Sequence, residues 1–529
     1  MQQQLHLHRK RGGGNPALIV FRGIIVIVIC CSLFWISMIL HLMATANEQH
    51  GRQAHSANSL LMRPQFFRGK RSHIRNELNH KMQRIEQHLL DRPVELAGAA
   101  SLVSPLLVLS YKRADYLERT LWKIFSNHPA NNGNQGPTED KGRIVGCPIV
   151  VSQDGPNSEV QDVIETYQQL FEYKLGIPLY RIQHEREPNE MYEKDLFEPY
   201  KRLAKHYGWA IEQVFSSDAY TAGAKHSRSD LSDRTPPKPH RLIVLEEDIE
   251  VARDFFSLMN ATADLLDLDD TLIAVSSYND NGRSDLVADP KRLVRSDFFP
   301  GLGWMMNRAV WDGKVGHPGL KDGEGFAPGG FWDDWLREPG IRRGRQIIRP
   351  EISRTYHFGN VDGASEGEKN NMLNKIELEE SHAKFENLPL TSQLEGRAFA
   401  AEYWSRVSHA RKVETAGEAK YYVMASHVRL TYNSMEIFRQ LASQFDITED
   451  EKAGVPRTAY EGIVEIRYGK GNYFVFLTPP YLDEACDKGG GSMPRHFGNK
   501  AWKDYTKETL METLGVNDIS FDERPGINW

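Results

Sequence analysis

An apolar run without a single charged residue, Gly23–Leu40 (GIIVIVICCSLFWISMIL), stands close to the start of the chain. At about 1.5 Å rise per residue it is long enough to cross a bilayer core. From about Ala46 to Glu95 the sequence is polar and rich in Arg, His and Gln, with a helix-like stretch at Ile74–Leu90. Beyond Pro105 the pattern changes to short apolar runs alternating with amphipathic stretches: Leu106–Ser110, Tyr116–Phe125, Ile144–Ser152 and Val160–Phe171. Strand, helix, strand, helix predicts a parallel sheet covered by helices, an α/β fold. A further helix is expected over Tyr200–Phe215, then a polar surface loop over Asp218–Pro239. The run Arg241–Leu245 reads as a strand that feeds directly into Glu246-Glu247-Asp248. Thr271–Ser277 reads as another strand, Gly313–Gly330 as a glycine-rich loop, and no internal repeat is evident. From about Phe399 the segments Val423–Val428, Gly462–Tyr468 and Tyr473–Leu477 alternate like antiparallel strands, which predicts a smaller accessory domain.

Charge gives the apolar run a direction. His8, Arg9, Lys10 and Arg11 precede it, and His41–Gly51 holds no Lys or Arg. The positive-inside bias then places residue 1 in the cytosol and the bulk of the chain in a lumen. A cleaved signal peptide is the other reading, but the run exceeds a usual h-region and Ala44-Thr45-Ala46 is only a fair cleavage site. The expected organisation is a cytosolic tail (1–22), a signal anchor (23–43), a stem (44–100), a catalytic domain (101–398) and an accessory domain (399–529).

Over the 529 residues, 40% are hydrophobic, 26% charged, and the net charge is -6. Those values are ordinary for a folded protein, and no basic face interleaved with aromatics follows the N-terminus, so nucleic acid is not an expected partner. Cys30 and Cys31 fall in the apolar run, leaving Cys147 and Cys486 for the lumen; spacing does not show whether they pair. A glycosylation sequon, Asn260-Ala-Thr262, falls in a stretch that reads as helix.

Two constellations carry chemistry. Three acids directly after a buried strand put carboxylates at the carboxyl edge of a sheet, where open α/β folds bind ligands. Their mutual repulsion makes a divalent cation a natural partner, and magnesium or manganese suits oxygen ligands that bridge to a diphosphate. The same triplet also reads as the acidic opening of a helix over Glu250–Leu258. The second constellation is Phe331-Trp332-Asp333-Asp334-Trp335. Tryptophan walls suit a sugar face and raise a carboxylate's basicity by desolvation. Equally, the two acids fit the first turn of a helix with both tryptophans in the core. Gly363-Ala-Ser365-Glu-Gly367 matches the G-x-S-x-G elbow, with Asp446 and His496 in the order Ser, acid, His, but Tyr356–Asp362 makes a poor buried strand before it. No dinucleotide fingerprint, Walker loop or H-E-x-x-H motif occurs.

The segments Ile149–Asp154 (IVVSQD), Val244–Phe256 (VLEEDIEVARDFF), Ser276–Gly282 (SSYNDNG), Asp297–Trp304 (DFFPGLGW), Phe331–Trp335 and Arg349–Thr355 (RPEISRT) together resemble the N-acetylglucosaminyltransferase I family, glycosyltransferase family 13. The likeness spans roughly Leu106–Ser365, and Gly454–Arg457 with Gly462–Val464 extend it. It implies a GT-A glycosyltransferase fold, Mn2+ dependence and inverting transfer of N-acetylglucosamine from UDP-N-acetylglucosamine to the α-1,3-linked mannose of a five-mannose N-glycan on glycoproteins, in β-1,2 linkage. It also implies a single-pass type II place in the Golgi apparatus membrane. Carried over by position, Asp333 is the catalytic base and Asp248 the metal ligand. Arg113, Asp154, His206, Glu247 and Ser365 contact the nucleotide sugar, Ser365 being reached across a small insertion. The family's triplet is usually Glu-Asp-Asp, so Glu247 adds a methylene, and where its animal members carry cysteines near the matched Arg113 and Asp154 this chain has Tyr111 and Gly155, so their lumenal disulfides do not carry over. The alternatives are a transferase acting on O-linked mannose, whose extra lumenal carbohydrate-binding domain the short stem leaves no room for, and a non-catalytic membrane-tethered glycan-binding scaffold, against which both Asp248 and Asp333 stand.

Overall fold

The computed structural model describes residues 104–131, 147–186, 197–216, 239–314, 317–359, 375–480 and 482. The expected tail, anchor and stem, the expected disulfide candidate Cys486, and Ser365 lie outside them. Among the described residues no helix is long and apolar enough to cross a membrane.

Strand β1 (Leu106–Ser110) is buried at every position, and its alternating side chains feed two different cores. Leu106 and Val108 pack with Ile149, Val151, Ile243 and Leu245 under the helices Ala114–Asn127 and Ser158–Leu175. Leu107 and Leu109 pack with Val150, Leu242 and Val244 under the helix Glu198–Phe215. A continuous apolar run is what a strand with both faces covered requires. The helix after β2 (Ile149–Asp154) is set by local chemistry: the Asn157 side chain accepts from Val160 N at one end, and Gly176 takes the left-handed conformation at the other.

With β3 (Leu179–His184), β4 (Arg241–Glu246), β5 (Ile249–Val251), β6 (Leu272–Ser276), β7 (Leu293–Ser296), β8 (Trp304–Asn307) and β9 (Gln346–Pro350), the main sheet has the order β3-β2-β1-β4-β8-β6-β9-β7; β5 lies outside it. The half from β3 to β4 is parallel, as expected, whereas β8 runs antiparallel to both β4 and β6, and β7 antiparallel to β9. The sheet is therefore mixed. The expected helix at Glu250–Leu258 is corrected too: β5 follows the acidic triplet and pairs antiparallel with β10 (Thr355–His357), and the helix begins only at Phe255. Asn260 of the sequon lies in that helix, Phe255–Leu268.

A second sheet holds β11 (Arg411–Val413), β12 (Val428–Thr431), β15 (Val464–Ile466) and β16 (Val475–Thr478), while β13 (Glu451–Lys452) and β14 (Val455–Pro456) form a separate ribbon. Two of the three pairings in this sheet are parallel, contrary to the antiparallel expectation, because the helices Ala416–Tyr422 and Met435–Phe445 supply crossovers. Val423 closes a helical turn rather than opening a strand. This sheet and its helices enclose a hydrophobic cluster of their own.

Near the base of the main sheet His128 is wholly buried against Phe171 and Phe256, accepting from Ala130 N and donating to Cys147 O. Burial lowers its pKa to about 4, and the bond to Cys147 offsets only part of that. The folded state thus refuses a proton that the unfolded state takes near pH 6.5, so this stability is complete above pH 6.5 and is lost as pH falls toward 4. Urea unfolding at pH 7 and pH 4.5 should show wild type losing about 2 kcal/mol more than His128→Gln on acidification. Equal losses would show that His128 is not held neutral. Cys147 is a buried free thiol, pushed up to about 12 by burial, whose Sγ donates to Ser104 O.

Candidate active site

In the main sheet the chain leaves β1 for β2 and β3 on one side, then returns to β4 on the other. The order reverses between β1 and β4, and a crevice opens at the carboxyl ends of strands flanking such a switch point. Arg113 follows β1 and Glu247-Asp248 follow β4, so the two turns face each other there. Glu247 accepts from Ser110 Oγ at 2.7 Å, Tyr111 N at 2.9 Å and Arg113 Nε at 2.7 Å. Its carboxylate is thereby fully occupied in holding the β1 turn, and the longer side chain at this position spans that gap. Burial raises its pKa in spite of Arg113.

Asp248 Oδ2 takes Arg113 Nη2 at 2.9 Å and lies 3.4 Å from His357 Nε2. Burial opposes its charge, but His357 and Arg113 outweigh burial and hold its pKa at about 2. The ribbon of β5 and β10 brings His357 there, and Phe358 N donates to Asp248 O. Gly359 lies so near the Asp248 carboxylate that any side chain on it would collide. Asp248 Oδ1 is buried with no hydrogen-bond partner. An ionised carboxylate with one oxygen fixed and the other orphaned fits a divalent cation. Among the described residues no group of three metal-ligating side chains stands together.

At the neighbouring strand tips Asp154 faces His184, its register partner. Asp154 Oδ1 is 2.8 Å from His184 Nδ1, and its Oδ2 is 3.4 Å from Arg186 Nε. His206 lies within hydrogen-bonding distance of Ser152 Oγ (2.7 Å) and is stacked on His184. Burial lowers its pKa to about 4, against the pull of Asp154. The guanidinium of Arg186 lies 4.0 Å over the Tyr111 ring, which is itself exposed. Flat rings, a carboxylate and amphoteric imidazoles here suit a heterocycle with both donors and acceptors.

The two constellations meet through Tyr207, whose hydroxyl donates to Glu246 Oε1 at 2.7 Å and whose ring stacks on Trp332 at 4.3 Å. Burial beside Asp248 raises Glu246 to about 7. Asp333 and Asp334 occupy the first turn of the helix Trp332–Arg337, with Phe331 at its start in the left-handed conformation (φ 47). That is an unusual backbone for a bulky residue, and stacking on Tyr200 at 4.2 Å holds it. Trp332 is buried and packed on Tyr207 and Trp304, and Trp335 packs against Phe326 beside the same core, which is the alternative reading of the two tryptophans as core residues behind a first-turn acid pair. Asp333 is 40% exposed and paired with Arg337 Nη1 at 2.9 Å.

Arg113, Glu247 and Asp248 are therefore in direct contact, Asp154 sits at the adjoining strand tip with His206 reaching the tips from the helix Glu198–Phe215, and Asp333 is linked through Trp332, Tyr207 and Glu246. Sequence reasoning missed His184, Arg186, Tyr207, Arg337 and His357. Arg337 alone had a local signal, standing four residues after Asp333 on a helix. Asp446, the acid of the hydrolase reading, closes the helix Met435–Phe445 and pairs with Arg283.

A family model described as the GNT-I family matches residues 24–488. A relative from Arabidopsis thaliana, alpha-1,3-mannosyl-glycoprotein 2-beta-N-acetylglucosaminyltransferase, is 35% identical over 372 residues, 70% of this chain and 72% of its own length. Among solved structures, a mannosyltransferase from Pyrobaculum calidifontis in complex with GDP-Man and Mn2+ is 15% identical, covering 53% of this chain and 66% of its own at a TM-score of 0.25. Core-mannan synthase A from Aspergillus fumigatus, in its Mn/GDP form, is 16% identical, covering 38% of this chain and 48% of its own at a TM-score of 0.17. Scores this low carry no argument. The match to the family model over most of the chain and the plant relative do: this chain belongs to the GNT-I family.

Proposed function

We propose that the protein is an inverting GT-A glycosyltransferase that moves N-acetylglucosamine from UDP-N-acetylglucosamine to the α-1,3-linked mannose of a five-mannose N-glycan, forming a β-1,2 linkage that begins hybrid and complex N-glycan synthesis. The observation that carries this reading is the half-satisfied Asp248 carboxylate at the switch point, beside strand tips suited to a nucleoside, in a chain of this family. Asp154, His206, Arg113 and Glu247 form or brace the nucleotide-sugar side, and the family resemblance assigns Ser365, outside the described residues, a contact to the same donor. Asp333, half-buried in the first turn of the helix Trp332–Arg337, takes the proton of the attacking mannose 2-hydroxyl. Mn2+ held by Asp248 would neutralise charge on the departing diphosphate. With that charge met, no protein acid is needed at the leaving group. The run Gly23–Leu40 would anchor the chain in the Golgi membrane as a type II protein with the catalytic part in the lumen.

The test is incubation of the purified chain with UDP-N-acetylglucosamine, MnCl2 and either a five-mannose N-glycan or an O-mannosyl peptide, following product mass with and without chelator. Addition of one N-acetylglucosamine to the N-glycan, abolished by chelator, is the expected result. Addition only to the O-mannosyl peptide would overturn the acceptor assignment, and addition to neither would overturn the activity.

A further inference from the structure

A small recess of about 30 Å³ lies where the ends of β6 and β9 meet the second sheet. Its lining carries three arginines, Arg292, Arg349 and Arg467, and two glutamates, Glu351 and Glu465. Both glutamates are fully committed. Glu351 receives Arg467 at both oxygens at 2.7 Å, Arg292 at 3.3 Å, and the backbone N–H groups of Ala288 and Asp289. Glu465 receives Arg292 at 2.7 and 3.0 Å and Arg406 at 2.9 Å.

Arg349 is left over. It is only 7% exposed, its Nε has no hydrogen-bond partner, and its two Nη atoms reach only Pro350 O and Thr458 O, each at 3.4 Å. No carboxylate among the described residues pairs with it; Glu465 and Asp280 attract it from farther off, and Arg292 repels it. Asp280 is itself taken by Arg457. Burial lowers the guanidinium only to about 10, so it stays charged at neutral pH. A buried cation without a counter-charge is costly, and arginine has no neutral form to fall back on under these conditions.

We propose that this recess binds one small inorganic anion, of the chloride or phosphate class, against the Arg349 guanidinium. The site is distinct from the nucleotide-sugar crevice, and nothing in the proposed reaction uses it. The lining groups are each less than a tenth exposed at Arg349, Glu351 and Arg467, which excludes large anions. Because Arg349 lies in β9 while Glu465 belongs to β15 and Arg467 follows it, the anion would tie the main sheet to the second one.

The full chain, exchanged into potassium gluconate, would be titrated at constant ionic strength with potassium chloride or potassium phosphate while thermal unfolding is followed. The expected result is a saturable rise in Tm of about 2–5 °C with one of these anions, retained in part by Arg349→Lys and absent in Arg349→Gln. Whichever salt acts identifies the ion. No rise in the wild-type chain, or an equal rise in Arg349→Gln, would overturn the proposal, the latter by exposing a general salt effect. Should Arg349→Gln fail to fold, crystals of the chain soaked in bromide decide: an anomalous peak beside Arg349 supports the site, and its absence overturns it.

Discussion

Asp333→Asn abolishes transfer and leaves donor binding intact. Asparagine keeps the volume and the first-turn position of aspartate but cannot take a proton, so it tests basicity and not shape. The helix Trp332–Arg337 survives the change, because Arg337 keeps Asp334 at 2.7 Å, the Phe299 carbonyl at 2.8 Å and the Phe298 ring beneath it. The lost pair with Arg337 involves a carboxylate that is 40% exposed, and pairs of that kind contribute little to stability. Removing a general base costs about 10²–10⁴-fold in rate, which appears in kcat with the donor dissociation constant unchanged. Calorimetric donor binding beside steady-state kinetics checks both halves. Near-normal turnover would remove Asp333 from the role, and Asp334 does not inherit it readily, being held by both Arg337 and Lys452.

The parallel half of the main sheet was legible in the sequence because its strands are buried on both faces. Their central segments Leu106–Leu109, Ile149–Val151 and Leu242–Leu245 show this as unbroken apolar runs. β3 was not legible: Leu179–His184 (LYRIQH) is an edge strand with mostly half-buried positions, and its sequence mixes both characters. With it went His184 at its end and Arg186 just beyond. The direction of the strands in the second sheet was hidden for another reason, since pairing there is set by intervening helices rather than by alternation. In the candidate site, the resemblance pointed to Arg113, Asp154, His206, Glu247, Asp248 and Asp333 as single residues, while their physical coupling came from contacts far apart in sequence. Tyr207 reaches Glu246, at the end of β4, from the helix Glu198–Phe215, and His357 reaches Asp248 only because β5 pairs with β10 across about a hundred residues. Periodicity carries no information on either.

Asp248→Ala eliminates the metal dependence of donor binding while the fold persists. Arg113 and His357 converge on one oxygen, Oδ2, and leave the buried Oδ1 without a partner. A carboxylate arranged for structure alone would have both oxygens satisfied, since an orphaned buried oxygen costs about 1–3 kcal/mol. The arrangement makes sense when Oδ1 has a ligand from outside the chain. Held at about 2, the Asp248 pKa keeps this oxygen charged throughout the working range, and its contribution would be lost only as pH falls through that value. Alanine leaves Arg113 its bond to Glu247 at 2.7 Å, so the β1 turn keeps its anchor and the variant remains folded. Manganese binding, read directly by electron paramagnetic resonance, should weaken at least about 100-fold, beyond what loss of an outer-shell partner produces. Donor affinity should then be low and equal with and without MnCl2. Unchanged manganese binding would place the metal elsewhere and leave the unpaired Oδ1 unexplained; unchanged donor affinity with lost manganese binding would separate donor recognition from the metal and assign it to Asp154, His206 and Arg113 alone.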